Sequence, residues 1–117
     1  MLFSMVTAPE SVLVQLRKGV LEYCVLAQLA HEPSYGLKLA SDLVQYGTLF
    51  ASEGSLYPLL ARLRKQGWVK TTWQESTSGP PRRYYRITEP GSDALATFLD
   101  AWEPFTTEAS KALRGKQ

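Results

Sequence analysis

The chain has 117 residues, 44% of them hydrophobic and 21% charged, which is the composition of one ordinary folded domain able to build its own core. Its single cysteine excludes an intrachain disulfide and a cysteine metal cluster and suits a reducing cytoplasm; the apolar start at 1–6 is too short, and lacks the basic flank, for a signal peptide or membrane span. The net charge of +2 hides an asymmetry: residues 52–88 hold seven Lys/Arg against two Asp/Glu, whereas 1–51 hold three against four and 89–117 three against five. A basic patch confined to one third of a chain is the footprint of a polyanion partner, the alternative being a chance surface patch.

A first helix is expected over 10–30, opened by Pro9 and Glu10 and weakened at Gly19. Its apolar residues, from Val12 to Leu29, lie nearly all round, so it should be buried on more than one side, partly by its own domain and partly by another subunit. Cys24 reads as a small hydrophobe in that packing. After the break at Pro33, Ser34 is placed to cap a second helix over 35–46 with Leu37, Leu39, Leu43 and Val44 as its apolar set.

The stretch 52–67 organises the rest. Leu56, Leu59, Leu60 and Leu63 fall at the spacing of a buried stripe, and Gly54, Ser55, Pro58, Ala61, Arg62 and Lys65 collect on the opposite side. Ser52 is placed as the cap and Gly67 as the stop. Small polar residues first and cations after them suit a helix entering a DNA major groove; the competing reading is a surface helix with a solvated basic side. Pro58 fits poorly if the helix starts at Ser52, and a start nearer Ser55 relieves this. Two short helices with a tight link, the second bearing such a face, make a helix-turn-helix.

Two strands follow at 68–75 and 82–87, rich in aromatic and β-branched residues, with a loop at 76–81 between them. A hairpin directly after a helix-turn-helix is a wing. Alternation puts Tyr85 and Ile87 on one face, toward the core, and Tyr84 and Arg86 on the other. Thr88, Pro90 and Glu89 then start a last helix on which Leu95, Phe98, Leu99, Trp102 and Phe105 recur as a helix–helix seam, with Pro104 expected to kink it and 114–117 expected to fray. The fold class is therefore α+β, mainly α: a winged helix-turn-helix over 1–88 for DNA binding and a C-terminal dimerisation helix over 89–117.

With these residues placed, the chain resembles the PadR family of transcriptional regulators. The likeness rests on Leu16-Arg17-Lys18-Gly19, Ser34-Tyr35-Gly36, the run 52–63 around Leu56-Tyr57-Pro58, Gly67-Trp68-Val69, and 79–91 with its Arg82-Arg83-Tyr84-Tyr85-Arg86 strand. A short chain ending in one helix resembles the family's small-bodied branch, which includes drug-responsive repressors. The resemblance implies a homodimer on a palindromic operator in double-stranded DNA, often released by a small hydrophobic or aromatic effector. It also implies that Trp102 occupies the position of a tryptophan lining a pore at the dimer centre.

The candidate DNA-binding residues are Ser52, Ser55, Tyr57, Arg62 and Lys65 on the recognition helix, Tyr35 and Lys38 at the start of the second helix, and Gly79, Arg82 and Arg83 on the wing. Tyr57 is either a donor on the groove flank or an aromatic packed inside the domain, and Lys38 either touches the DNA backbone or is simply solvated. Arg82 and Arg83 point to opposite faces, so one of them reaches DNA. Leu95, Phe98, Leu99, Trp102 and Phe105 are the candidate dimerisation residues; Trp102 is the candidate effector residue, although seam packing accounts for it equally well. His31 is the only histidine, and no nucleophilic triad, P-loop or dinucleotide fingerprint is present, so an enzyme is not expected, nor a metal or cofactor. The alternative is a winged helix that binds a protein and no nucleic acid.

Overall fold

The computed structural model describes residues 10–50 and 52–115. The chain starts with α1 (Glu10–Arg17) and α2 (Leu21–His31), so the one helix expected over 10–30 is two. Gly19 adopts φ 79°, a left-handed conformation that costs glycine little, and the chain turns there through Lys18 N–H to the Gln15 carbonyl (3.3 Å) and Val20 N–H to the Arg17 carbonyl (3.0 Å). The expected burial of the apolar residues holds only for α2, through Val25, Leu26 and Leu29. None of α1 is buried, and Val12, Val14 and Leu16 are exposed.

Ser34 does not cap a helix. It lies in a short strand, β1 (Ser34–Tyr35), and is buried opposite Tyr85. The helix that follows, α3 (Gly36–Leu43), starts later and ends earlier than 35–46, and Leu37 and Val44 of its expected apolar set are exposed. A 3₁₀ turn at Glu53–Ser55 leads into α4 (Leu56–Lys65). Ser52 precedes that turn rather than the α-helix, and its side chain makes no capping bond. With α4 starting at Leu56, Pro58 lies in the first turn, where its missing N–H leaves no helical bond unmade. Leu56, Leu59, Leu60 and Leu63 are all buried, as their spacing requires. The helix stops at Gly67 (φ 81°) by two crossed bonds, Trp68 N–H to the Leu63 carbonyl (3.0 Å) and Gly67 N–H to the Arg64 carbonyl (2.9 Å).

Strands β2 (Val69–Ser76) and β3 (Gly79–Ile87) form the hairpin, and β1 adds to the far edge of β3, giving an antiparallel sheet of order β1-β3-β2. The loop expected at 76–81 shrinks to Thr77 and Ser78. Pro80 and Pro81 enter β3 where the register shifts between Gln74 and Ser76 and the ladder needs no donor from them.

The last helix, α5 (Glu89–Arg114), is capped by Thr88, whose Oγ1 accepts from Gly91 N–H at 3.1 Å and donates to the Gly67 carbonyl at 2.7 Å. Pro104 lies inside α5 without interrupting it, and the helix runs to Arg114; Lys116 and Gln117 of the expected frayed tail lie outside the described residues. Gly91 is required by close approach, since a Cβ there would lie 2.2 Å from the Trp68 carbonyl oxygen. The core gathers α2, α3, α4, Phe50, Val69, Tyr85 and Leu95. The arrangement is a winged helix-turn-helix, mainly helical, with α5 running out of it.

Candidate nucleic-acid interface

The outward side of α4 is set by the burial of its leucines. Gly54, Ser55, Pro58, Ala61, Arg62 and Lys65 are all exposed, and small residues at the start of the helix leave room for close approach. Ser55 Oγ is partly engaged, donating to the Ser52 carbonyl at 2.8 Å.

The cations on this side differ. Arg62 Nε lies 3.1 Å from a carboxylate oxygen of Glu22 on α2, whereas Lys65 pairs with no described carboxylate. Lys38 is held by Asp42 at 2.9 Å and lies 3.9 Å from Glu32; the hydrogen bond to Asp42, then its charge, raise the Lys38 pKa. A cation already facing carboxylates gains less from a phosphate than an unpaired one. Sequence spacing could not show the Glu22 contact, because it spans 40 residues.

Tyr57 is 44% exposed, and its other side covers Gly36: a Cβ at Gly36 would lie 2.6 Å from the phenol oxygen. It therefore locks α3 against α4 while still presenting an edge to solvent. Partial burial, then the charge of Glu53, raises its pKa, so the phenol stays a protonated donor at neutral pH.

Two adjacent arginines of the wing, Arg82 and Arg83, lie on opposite faces, and a third, Arg86, is exposed on the Arg82 side. The Arg82 guanidinium lies 4.3 Å from the centroid of Tyr35, which in turn meets Tyr84 edge-on at 5.2 Å. Arg83 pairs across the ladder with Trp73 and lies 5.2 Å from its ring, and its Nε is buried without a partner. Trp73, 65% exposed, and Gly36 join the candidate site residues only through the folded structure. The strand register that sets Trp73 opposite Arg83 is what brings it into the site. Gly79 is exposed beside the two-residue turn.

On α5, Leu95 packs into the core and Phe98 stacks on Tyr23 at 4.1 Å, while Trp102, half-buried, stacks on Phe98 at 5.4 Å. Leu99 (54%) and Phe105 (67%) are exposed. A cavity of about 410 Å³ opens between α1, the Gly19 turn and α4, floored by Val14, Leu21, Leu49 and Leu59; Trp102 does not line it. Among the described residues, no helix is long and apolar enough to cross a membrane, and no group of three His, Cys, Asp or Glu gathers to hold a metal.

The comparisons with known proteins agree with this layout. The family model of the "Transcriptional regulator PadR-like family" matches residues 25–97, from α2 through the wing into α5. The chain is 40% identical to a PadR-like transcriptional regulator of Bacillus cereus, covering 87% of this chain and 99% of that one, with a TM-score of 0.76. It is 34% identical to a PadR family transcriptional regulator of Eggerthella lenta, covering 92% and 93%, with a TM-score of 0.79. The fold is thus shared with regulators matched over nearly their whole length: this chain belongs to the PadR-like family of transcriptional regulators, which bind DNA and are not enzymes.

Proposed function

We propose that the chain is a homodimeric repressor that grips a palindromic operator and releases it when a flat hydrophobic or aromatic molecule binds near Trp102. In this reading 1–88 bind DNA and 89–117 join two copies. The observation that carries it is the uncovered face of α5: of its 26 residues only Gly91 and Leu95 are buried, and Leu99 and Phe105 stand exposed along the same seam. A second copy docked there buries both sides of the seam and offers two recognition helices to two half-sites. Ser55, Tyr57 and Lys65 face the groove, with the wing on the flanking phosphates. Arg62 joins them once it exchanges Glu22 for phosphate.

Trp102 is half-buried and stacks on Phe98, and in this reading a planar ring covers the rest of its face at the dimer axis. The effector weakens DNA binding only by fitting better the dimer whose helices are spaced wrongly for the operator. The test is a titration of tryptophan fluorescence with planar aromatic compounds, on wild type and Trp102→Ala, in parallel with DNA binding. Quenching and DNA release confined to the wild type are expected. If both persist in a dimeric Trp102→Ala protein, Trp102 is packing alone; Trp68 and Trp73 remain as reporters in the variant.

A further inference from the structure

The adjacent wing arginines Arg82 and Arg83 are held in different ways. Arg82 lies on the outer face of the sheet, exposed, over the ring of Tyr35 at 4.3 Å. That ring is itself fixed: Tyr35 pairs with Tyr84 in the β1–β3 ladder and meets it edge-on, and it is the last residue before α3. Arg83 lies on the other face, the one that sends Tyr85 into the core; it is half-buried and leans on Trp73 at 5.2 Å. We propose that Arg82 is the wing's main phosphate contact and that Tyr35 is its positioning residue, acting on DNA through Arg82 rather than by touching DNA itself. The inference rests on the DNA-binding reading and narrows it.

The physical reason is pre-organisation. A long cationic side chain on a strand loses rotamer freedom when it meets a phosphate. A guanidinium already stacked on a ring has lost much of that freedom beforehand and still has its N–H edge free to donate. Because Tyr35 is anchored at the mouth of the helix-turn-helix, the stack also sets the wing's position relative to α4. Phenylalanine supplies the same ring face, so the hydroxyl is dispensable to this role.

The experiment uses a mixed-sequence DNA duplex at low salt, where phosphate contacts dominate binding. Arg82→Ala should flatten the slope of log K against log salt by nearly two in a dimer, about one contact per wing, and more than Arg83→Ala does. Tyr35→Leu should weaken binding about two- to fivefold per wing, the value of one exposed cation–ring contact. Tyr35→Phe should bind like wild type, and Tyr35→Leu should add nothing in an Arg82→Ala background. In the free protein, the Arg82 side-chain protons should show an upfield ring-current shift in wild type and in Tyr35→Phe. The absence of that shift in wild type overturns the stack, whatever the folding of the variants. An equal cost of Tyr35→Leu with and without Arg82 overturns the positioning role and leaves DNA binding standing, as a larger slope change from Arg83→Ala overturns the choice of arginine. Wild-type protein that ignores duplex DNA rejects the DNA-binding reading and this inference together.

Discussion

Helices α4 and α5 carry the same kind of signal and meet different fates. Each has an apolar stripe at helical spacing. In α4 all the stripe's leucines are buried by the chain's own core, whereas in α5 the stripe is covered at Leu95, half-covered at Phe98 and Trp102, and bare at Leu99 and Phe105. An amphipathic pattern says that a face wants burial; it does not say what supplies it. Where the chain is compact, the stripe is a core. Where the helix outruns the domain, the same stripe asks for a partner, and a helix of 26 residues, about 39 Å at 1.5 Å per residue, does outrun it.

Substitutions can separate the two regions. Leu60→Ala, at a fully buried site, should lose about 2–5 kcal/mol in denaturant unfolding at any protein concentration. Leu99→Ala should instead lower stability in a concentration-dependent way, because its contact exists only between copies. A Leu60→Ala loss that depended on concentration would place α4 in the interface too.

The joint between the regions is Gly91 against the Trp68 carbonyl. Gly91→Ala must push α5 off backbone, not off a pliable side chain, and should cost about 1–3 kcal/mol of stability in the same unfolding measurement. A neutral Gly91→Ala would mean that α5 meets the wing base more loosely than the structure has it.

Smaller effects belong to the cations of α4. Lys65→Ala should flatten the salt slope of DNA binding by nearly two in a dimer, while Arg62→Ala should flatten it less, because Arg62 must first leave Glu22. Glu22→Gln frees Arg62 and should tighten DNA binding modestly, within about fivefold, as expected of an exposed ion pair worth up to about 1 kcal/mol. Equal slopes for Lys65→Ala and Arg62→Ala would show that the Glu22 contact does not persist in solution.

The smallest effect is at Cys24, whose half-burial raises the thiol pKa. A raised folded-state pKa means that this contribution to stability is full while the thiol is protonated in both states and declines as pH rises through the alkaline thiol range. Stability should therefore fall less steeply on the alkaline side in Cys24→Ala than in wild type. A steeper fall in the variant would reverse the assigned sign.

What the sequence made legible was local and periodic: the leucine stripe of α4, the stop at Gly67, the hairpin, and the Thr88 cap are each written within a few residues. What it hid was either long-range or a matter of one dihedral. Gly19 at φ 79° divides a helix whose apolar pattern runs straight through it. Ser34-Tyr35 is too short to read as a strand and exists because β3 lies beside it. Pro80 and Pro81 look like loop residues until a register shift makes room for them. The candidate site shows the same split. The exposed face of α4 followed from its buried one, but the carboxylate on Arg62, the ring under Arg82 and the glycine under Tyr57 come from separate elements, and only the folded chain brings them together.

Sedimentation equilibrium of the wild-type chain at micromolar concentration, beside Phe105→Glu, decides whether α5 joins two copies. A charge placed on the bare stripe of α5 harms a dimer and leaves the domain's core intact. Twice the chain mass is expected for the wild type and the single-chain mass for the folded variant. A wild type that sediments as a stable single chain, or a Phe105→Glu protein that remains as dimeric as the wild type, would contradict a dimer joined through α5.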